Sequence, residues 1–193
     1  LINNGELNDI NINDILKKNL IEEEDFYYFF PKKTESLCTF YFKNIQYKLE
    51  NRTSKKFKNE KSISKRVNYI LSELFELFEN DKITCLYFLN YMFSKPFFLK
   101  KNSLKFSHRI WYLLKDKSVD FNFYTKRLIL SQILINSTLH WRGNEGTQST
   151  KAFISKQIYL LGRYGYYKAQ TKKFTCNFFP KNILSKLDFL HKN

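Results

Sequence analysis

The chain has 193 residues, with 33 lysines and arginines against 18 aspartates and glutamates, a formal net charge of +15 and 18 % aromatic residues. That length suits one domain with an appended arm, and a hydrophobic fraction of 43 % excludes a disordered basic tail, whose composition could not repay the entropy of ordering. The longest charge-free run, Ile83 to Ser94, is far shorter than the roughly 20 residues that cross a bilayer, so no span and no membrane partner is expected.

The N-terminal residues, Leu-Ile-Asn-Asn-Gly-Glu, have neither the basic start of a secretory signal nor the Arg-rich bias of a transit peptide, so import is unneeded or a signal has been removed. Leu1 fits a non-standard organellar start codon or a fragment. Alanine and valine occur only twice each while Asn, Lys, Ile, Phe and Tyr abound, as AT-rich organellar coding would produce. Residues 1–36 carry eight acids and four lysines, which leaves +19 on the rest. This asymmetry separates an acidic N-terminal arm (1–36) from a basic body (37–175) and a short C-terminal helical tail (176–193), and it points to a polyanionic partner for the body. The run Glu22 to Asp25 reads as a solvated or partner-facing surface, since four consecutive carboxylates diverge in direction.

Asn51 to Arg66 is the densest basic cluster, with Arg52, Lys55, Lys56, Lys58, Lys61, Lys65 and Arg66 against Glu60 alone. It reads as an exposed loop entering a helix, either a solubilising surface or a phosphate contact. From Ser62, a candidate cap, the residues Ile63, Val67, Ile70, Leu71, Leu74, Phe75 and Phe78 draw one apolar stripe down a helix of about five turns. A second helix is predicted from about Lys82 to Ser94, ended by Pro96. The segment 97–117 alternates apolar and polar residues in two short runs, Leu104-Lys105-Phe106 and Ile110 to Leu114, around Ser107-His108-Arg109, and so predicts a protruding basic β-hairpin. Its rings either face the core or stack on bases. A third long helix is expected from about Phe121 to Leu139, with Tyr124, Leu128, Leu134, Ile135 and Leu139 inside, ending at Arg142-Gly143, where Gly143 and Gly146 permit the break. A fourth spans about Thr150 to Leu161, followed by a basic aromatic stretch, 164–174, and a short amphipathic helix through Ile183, Leu187 and Leu190. The fold class is therefore mainly α, a bundle of about five or six helices with one β-hairpin.

Chemistry is harder to find. His108, His140 and His191 occur singly, Cys38, Cys85 and Cys176 form no Cys-x-x-Cys pair, and no phosphate-cradling glycine loop or nucleophile–base pair stands at informative spacing. No metal, no cofactor and no catalytic residue is expected, and the protein reads as a non-enzyme in a reducing compartment.

The order of basic loop, helix, helix to Pro96, basic hairpin, and long helix ending at Arg142-Gly143 resembles the bacterial-type small-subunit ribosomal protein seven family. The particular likenesses are Glu60-Lys61-Ser62 at a helix start, Val67-Asn68-Tyr69 in the next two turns, the 34-residue interval from Ser62 to Pro96, and Lys126-Arg127 opening the helix that ends in Arg-Gly. The resemblance spans about Lys58 to Lys173. It departs where the family has Glu-Asn before the proline, paired glycines at the hairpin tip and Lys-Lys-Arg-Glu after the last long helix.

That resemblance implies a structural protein of the small ribosomal subunit that binds the head domain of its rRNA and touches neighbouring head proteins. Its hairpin would lie near messenger RNA and exit-site tRNA, in a mitochondrial ribosome or alternatively a plastid one. The RNA-facing residues would be Arg52, Lys55, Lys56, Lys58, Lys61, Lys65, Arg66, Lys100, Lys101, Lys105, His108, Arg109, Trp111, Lys126, Arg127, Trp141, Arg142, Lys168, Lys172 and Lys173, holding phosphates with cations and reading RNA by shape. The competing readings are a soluble basic accessory subunit of an organellar respiratory complex and, with only charge in its favour, an RNA-processing enzyme.

Overall fold

The computed structural model describes residues 12–53, 60, 62–117, 119–143 and 146–160. The chain divides at Ile154 into two units, and of the second only residues 155–160 are described. The described residues form α1 (Ile12–Lys18), α2 (Glu23–Phe29), α3 (Thr34–Thr53), α4 (Ile63–Asn80), α5 (Lys82–Phe93), α6 (Pro96–Leu113), α7 (Asp120–Arg142) and α8 (146–160), with no strand among them. The mainly helical expectation holds, with more helices than the five or six predicted.

α4 forms where its stripe predicts. Ser62 accepts a hydrogen bond from the Lys65 amide, and Val67, Ile70, Leu71, Leu74, Phe75 and Phe78 are all buried. Ile63, at the stripe's first position, is exposed instead. α3 has an apolar row of its own at Cys38, Tyr41, Phe42, Ile45 and Leu49, spaced three and four apart, which lays it along α4. Phe75, Phe78 and Trp141 pack ring to ring where α4 meets the end of α7.

The predicted β-hairpin at 97–117 is a helix. Pro96 stands at the first turn of α6, where a missing N–H costs nothing and the fixed φ favours helix, so it starts an element as well as following one. Ser103, Ser107, Ile110, Trp111 and Leu114 are buried at helical spacing, while the two alternating runs are too short to override that period. Polar Ser107, expected at a hairpin tip, is a buried contact point: its hydroxyl donates to the Arg127 carbonyl at 2.8 Å. The small serines let α6 and α7 approach closely, and this pair shares the most extensive interface among the numbered helices α1–α7. Their connection is a Schellman turn in which the Lys115 amide donates to Tyr112 and that of Asp116 to Trp111, with Lys115 left-handed at φ 54°.

Within α7 the inward face differs from the predicted one. Leu134 is buried, but Tyr124, Leu128 and Leu139 are exposed, and the core positions are Arg127, Leu130, Ser131, Ile133, Ser137, Thr138 and Trp141. Gly143 ends α7 at an ordinary φ of −70°, whereas Gly146 uses its freedom at φ +73° where α8 begins. The acidic segment contributes packing too: Leu16 of α1 is buried against Phe26, Tyr27, Leu37 and Tyr87. The predicted basic stretch 164–174 and the C-terminal helix lie outside the described residues.

Candidate functional site

Helices α3 and α6 present matching ladders to each other. On α3 the residues Ser36, Thr39, Phe40 and Lys43 follow i, i+3, i+4, i+7, and on α6 Phe98, Lys101, Asn102 and Lys105 repeat that spacing, so each set shares one helix face. Between these faces lie two adjoining recesses. The inner one, of about 290 Å³, is floored by Leu74 and Phe78 of α4, Leu89 and Met92 of α5, and Leu134 of α7, with Phe42, Leu99, Phe106 and Ile135 on its walls. The outer one, of about 370 Å³, carries Lys32, Glu35, Lys101 and the rings of Phe29, Phe30, Phe40 and Phe98. Thr39, Lys43, Asn102 and Lys105 line both and form the neck between them.

The inner recess is chemically apolar although several of its lining residues are not. The Ser103 hydroxyl donates to the Lys100 carbonyl at 3.0 Å, that of Thr138 to Leu134 at 2.8 Å, and that of Thr39 to Glu35 at 2.8 Å, so their donors are spent on their own helices. Asn102 donates to the Phe98 carbonyl at 2.8 Å. A cavity of about the lower limit of the usual 300–1,000 Å³, lined mainly by alkyl and aromatic groups with a few polar side chains, is the common form of a small-ligand site. Nothing in it offers a nucleophile beside a base, and no cluster of three or more metal-ligating side chains occurs among the described residues.

Most of the described residues among those assigned to RNA make contacts within the protein. Arg109 forks onto Glu50, with Nη2 to Oε2 at 2.8 Å, and lies over the Tyr112 ring; the bond to Glu50 holds its guanidinium above its ordinary pKa. Lys126 pairs with Asp116 at 2.7 Å over the buried Trp111 ring, and Trp111 donates its indole N–H to the Lys126 carbonyl. Arg127 is only 8 % exposed; it reaches Asp116 at 3.4 Å, the Phe123 carbonyl at 2.8 Å and Nδ1 of His108 at 3.0 Å, and stacks on Phe123. Trp141 is buried and donates to Glu79 at 2.8 Å, and Arg142 donates to Asn90 over the Phe93 ring. Arg52 pairs with Glu73 at 3.7 Å, Lys65 with Glu60 at 3.8 Å, and Arg66 with the Glu60 carbonyl. Glu50 and Glu73, far away in sequence, therefore absorb Arg109 and Arg52, which looked available. Lys100, Lys101 and Lys105 remain exposed on α6, the last two at the recesses, while Lys55, Lys56, Lys58, Lys61, Lys168, Lys172 and Lys173 lie outside the described residues.

Sequence reasoning missed Thr39, Lys43 and Asn102. The signal was present in the i, i+3, i+4, i+7 spacing on α3 and α6, but α3 was not recognised as a helix and α6 was read as strands. The buried thiols belong to the core beside this site: burial pushes Cys38 up to about 12, with the Glu35 carboxylate adding to it, and burial raises Cys85 further.

The COQ9 family model matches residues 99–164, about a third of the chain, taking in nearly all of α6 and the whole of α7 and α8. No curated protein and no solved structure matches the chain. The match corrects the ribosomal resemblance in the segment that carried its hairpin and its Arg-Gly helix. That segment is similar to COQ9 and its described part is helical apart from short connections, with no strand, and the assignment to the ribosomal protein seven family is withdrawn. With it go the role as a ribosomal constituent, the rRNA, messenger and exit-site tRNA partners and the neighbouring head proteins, and the respiratory-subunit alternative stands no longer.

Proposed function

We propose that this protein is a COQ9-like lipid-binding protein that serves coenzyme Q biosynthesis in the mitochondrion, taking an apolar chain into the recess between α3, α4, α5, α6 and α7. The observation that carries the reading is a recess floored by Leu74, Phe78, Leu89, Met92 and Leu134, whose α6 and α7 walls fall within the segment similar to the COQ9 family. That family is associated with ubiquinone synthesis and with lipids, and it is mitochondrial in eukaryotes, in keeping with the organellar composition.

The mechanism is one of shelter. An isoprenoid tail leaving water gains about 25 cal/mol for each Å² of apolar surface covered, and the alkyl and aromatic floor and walls of the recess supply that cover. The protein acts here as a carrier that presents a lipid to an enzyme, without turning it over itself. The α6–α7 network of Asp116, Lys126, Arg127, His108 and Trp111 holds the two helices that supply these walls in register.

Uptake of a fluorescent farnesyl probe by the purified full chain tests this, together with mass spectrometry of the lipids that co-purify. Isoprenoid lipids should co-purify, and Leu99→Trp, which fills a half-buried wall position, should weaken probe binding about tenfold while leaving the unfolding midpoint near that of the parent. Probe binding unchanged by Leu99→Trp, or none in the parent, refutes the reading.

A further inference from the structure

We infer that the lysines at the neck make this recess select amphiphiles with an anionic head, an apolar chain ending in a carboxylate or a phosphate, over neutral lipids of the same chain. The inference rests on the lipid-carrier reading and adds the chemistry of the head group. Lys43 of α3 and Lys105 of α6 line both the apolar inner recess and the outer one, so they stand where a chain buried inside would leave its head. Lys101 continues the positive edge outward, one turn before Lys105 on the same face of α6.

These three combine a place at the recesses with the lack of a carboxylate partner among the described residues. Elsewhere on the bundle Arg52, Lys65, Lys82, Arg109, Lys126, Arg127 and Lys151 each meet a carboxylate. Lys43, Lys101 and Lys105 have no carboxylate within ion-pair distance among the described residues, although Lys43 and Lys105 border the apolar inner recess and all three border the outer one. Glu35, the acid lining the outer recess, is taken by Lys32 at 3.9 Å. An anionic head at the neck would therefore meet two ammonium groups from opposite walls, and charge-assisted bonds from both would hold it there. A hydroxyl head would accept from the same ammonium groups but bring no opposite charge to them, and a free inorganic anion would lack the apolar anchor.

Binding of cis-parinaric acid and of cis-parinaryl alcohol, which share one chain, tests the inference by fluorescence on the full chain at low and high salt. The acid should bind about tenfold tighter at low salt, and the preference should shrink as added salt screens these exposed charges. Reversing Lys43 and Lys105 together (Lys43→Glu, Lys105→Glu) should weaken the acid far more than the alcohol and so abolish or invert the preference. Lys48→Glu, on α3 but lining neither recess, should change nothing, and circular dichroism confirms the fold of each variant. If acid and alcohol bind equally, or if the preference survives the double reversal, the head-group selection is overturned and the lipid carrier stands. If neither enters, both fail. Binding confined to vesicles containing phosphatidylglycerol, with no uptake of the monomeric acid, overturns the inference in favour of a surface contact with membranes.

Discussion

Replacing Asp116 with alanine removes the carboxylate that faces both Lys126 and Arg127 in the turn between α6 and α7. The Asp116 side chain is 6 % exposed and that of Arg127 9 %, so the guanidinium would be left buried with no opposing charge. Breaking one partner out of such a pair costs about 3–5 kcal/mol, because the surviving charge has lost its solvent and gained nothing. Arg127 keeps its bonds to the Phe123 carbonyl and to His108, and Lys126, at 41 % exposure, can turn to water, so the lower end applies, about 3 kcal/mol. Urea unfolding followed at 222 nm measures it, and a chain of this size should lose about 6–12 °C in melting midpoint. Arg127→Met in the same background removes the stranded charge and should recover part of the loss, giving a non-additive cycle. A loss under about 1 kcal/mol, or strict additivity, would show that the α6–α7 turn is held by its Schellman geometry and apolar contacts alone.

Two further outcomes follow from the same core. Burial of Glu79 pushes its carboxyl up, but hydrogen bonds from Lys82 and Trp141 outweigh this and leave it below the usual carboxylate range. A depressed folded pKa stabilises above the unfolded value, about 4.3, and the gain fades as pH falls through the folded one. The stability difference between the parent and Glu79→Gln should thus be flat near neutrality and shrink below about pH 4.3, and a difference independent of pH across that range would refute the cause given. In a Cys176→Ser background, the thiols of Cys38 and Cys85 should resist a thiol reagent until the protein is unfolded, since both are buried and held protonated. Fast labelling of either in native buffer would mean that the α3–α5 contact opens readily.

The match to COQ9 changes how the basic composition is understood. Excess lysine and arginine with many rings reads, in one dimension, as a surface for a polyanion, and with the colinear order of helices, turns and short motifs it made the ribosomal resemblance. In three dimensions Arg109 finds Glu50 and Lys151 finds Glu76, each from a distant helix, and Arg127 disappears into the α6–α7 interface. Net charge constrains partners only after these internal pairs are removed, and pairing across distant segments is invisible to a count.

Local signals by themselves determined the helix from Ser62, with its cap and its apolar stripe, the breaks after Phe93 and Arg142, and the lack of any run long enough to cross a bilayer among the described helices. These depend on neighbours within about one or two turns, which the spacing of residues carries. The conversion of 97–117 from hairpin to helix, the outward turn of Tyr124 and Leu128, and the recess with its lysine neck were decided by tertiary packing. Short alternating runs support either period, and α7 supplied the buried face that made the helical one pay. A cavity is made of gaps between five helices, and the side chains that border it meet only when the chain has folded.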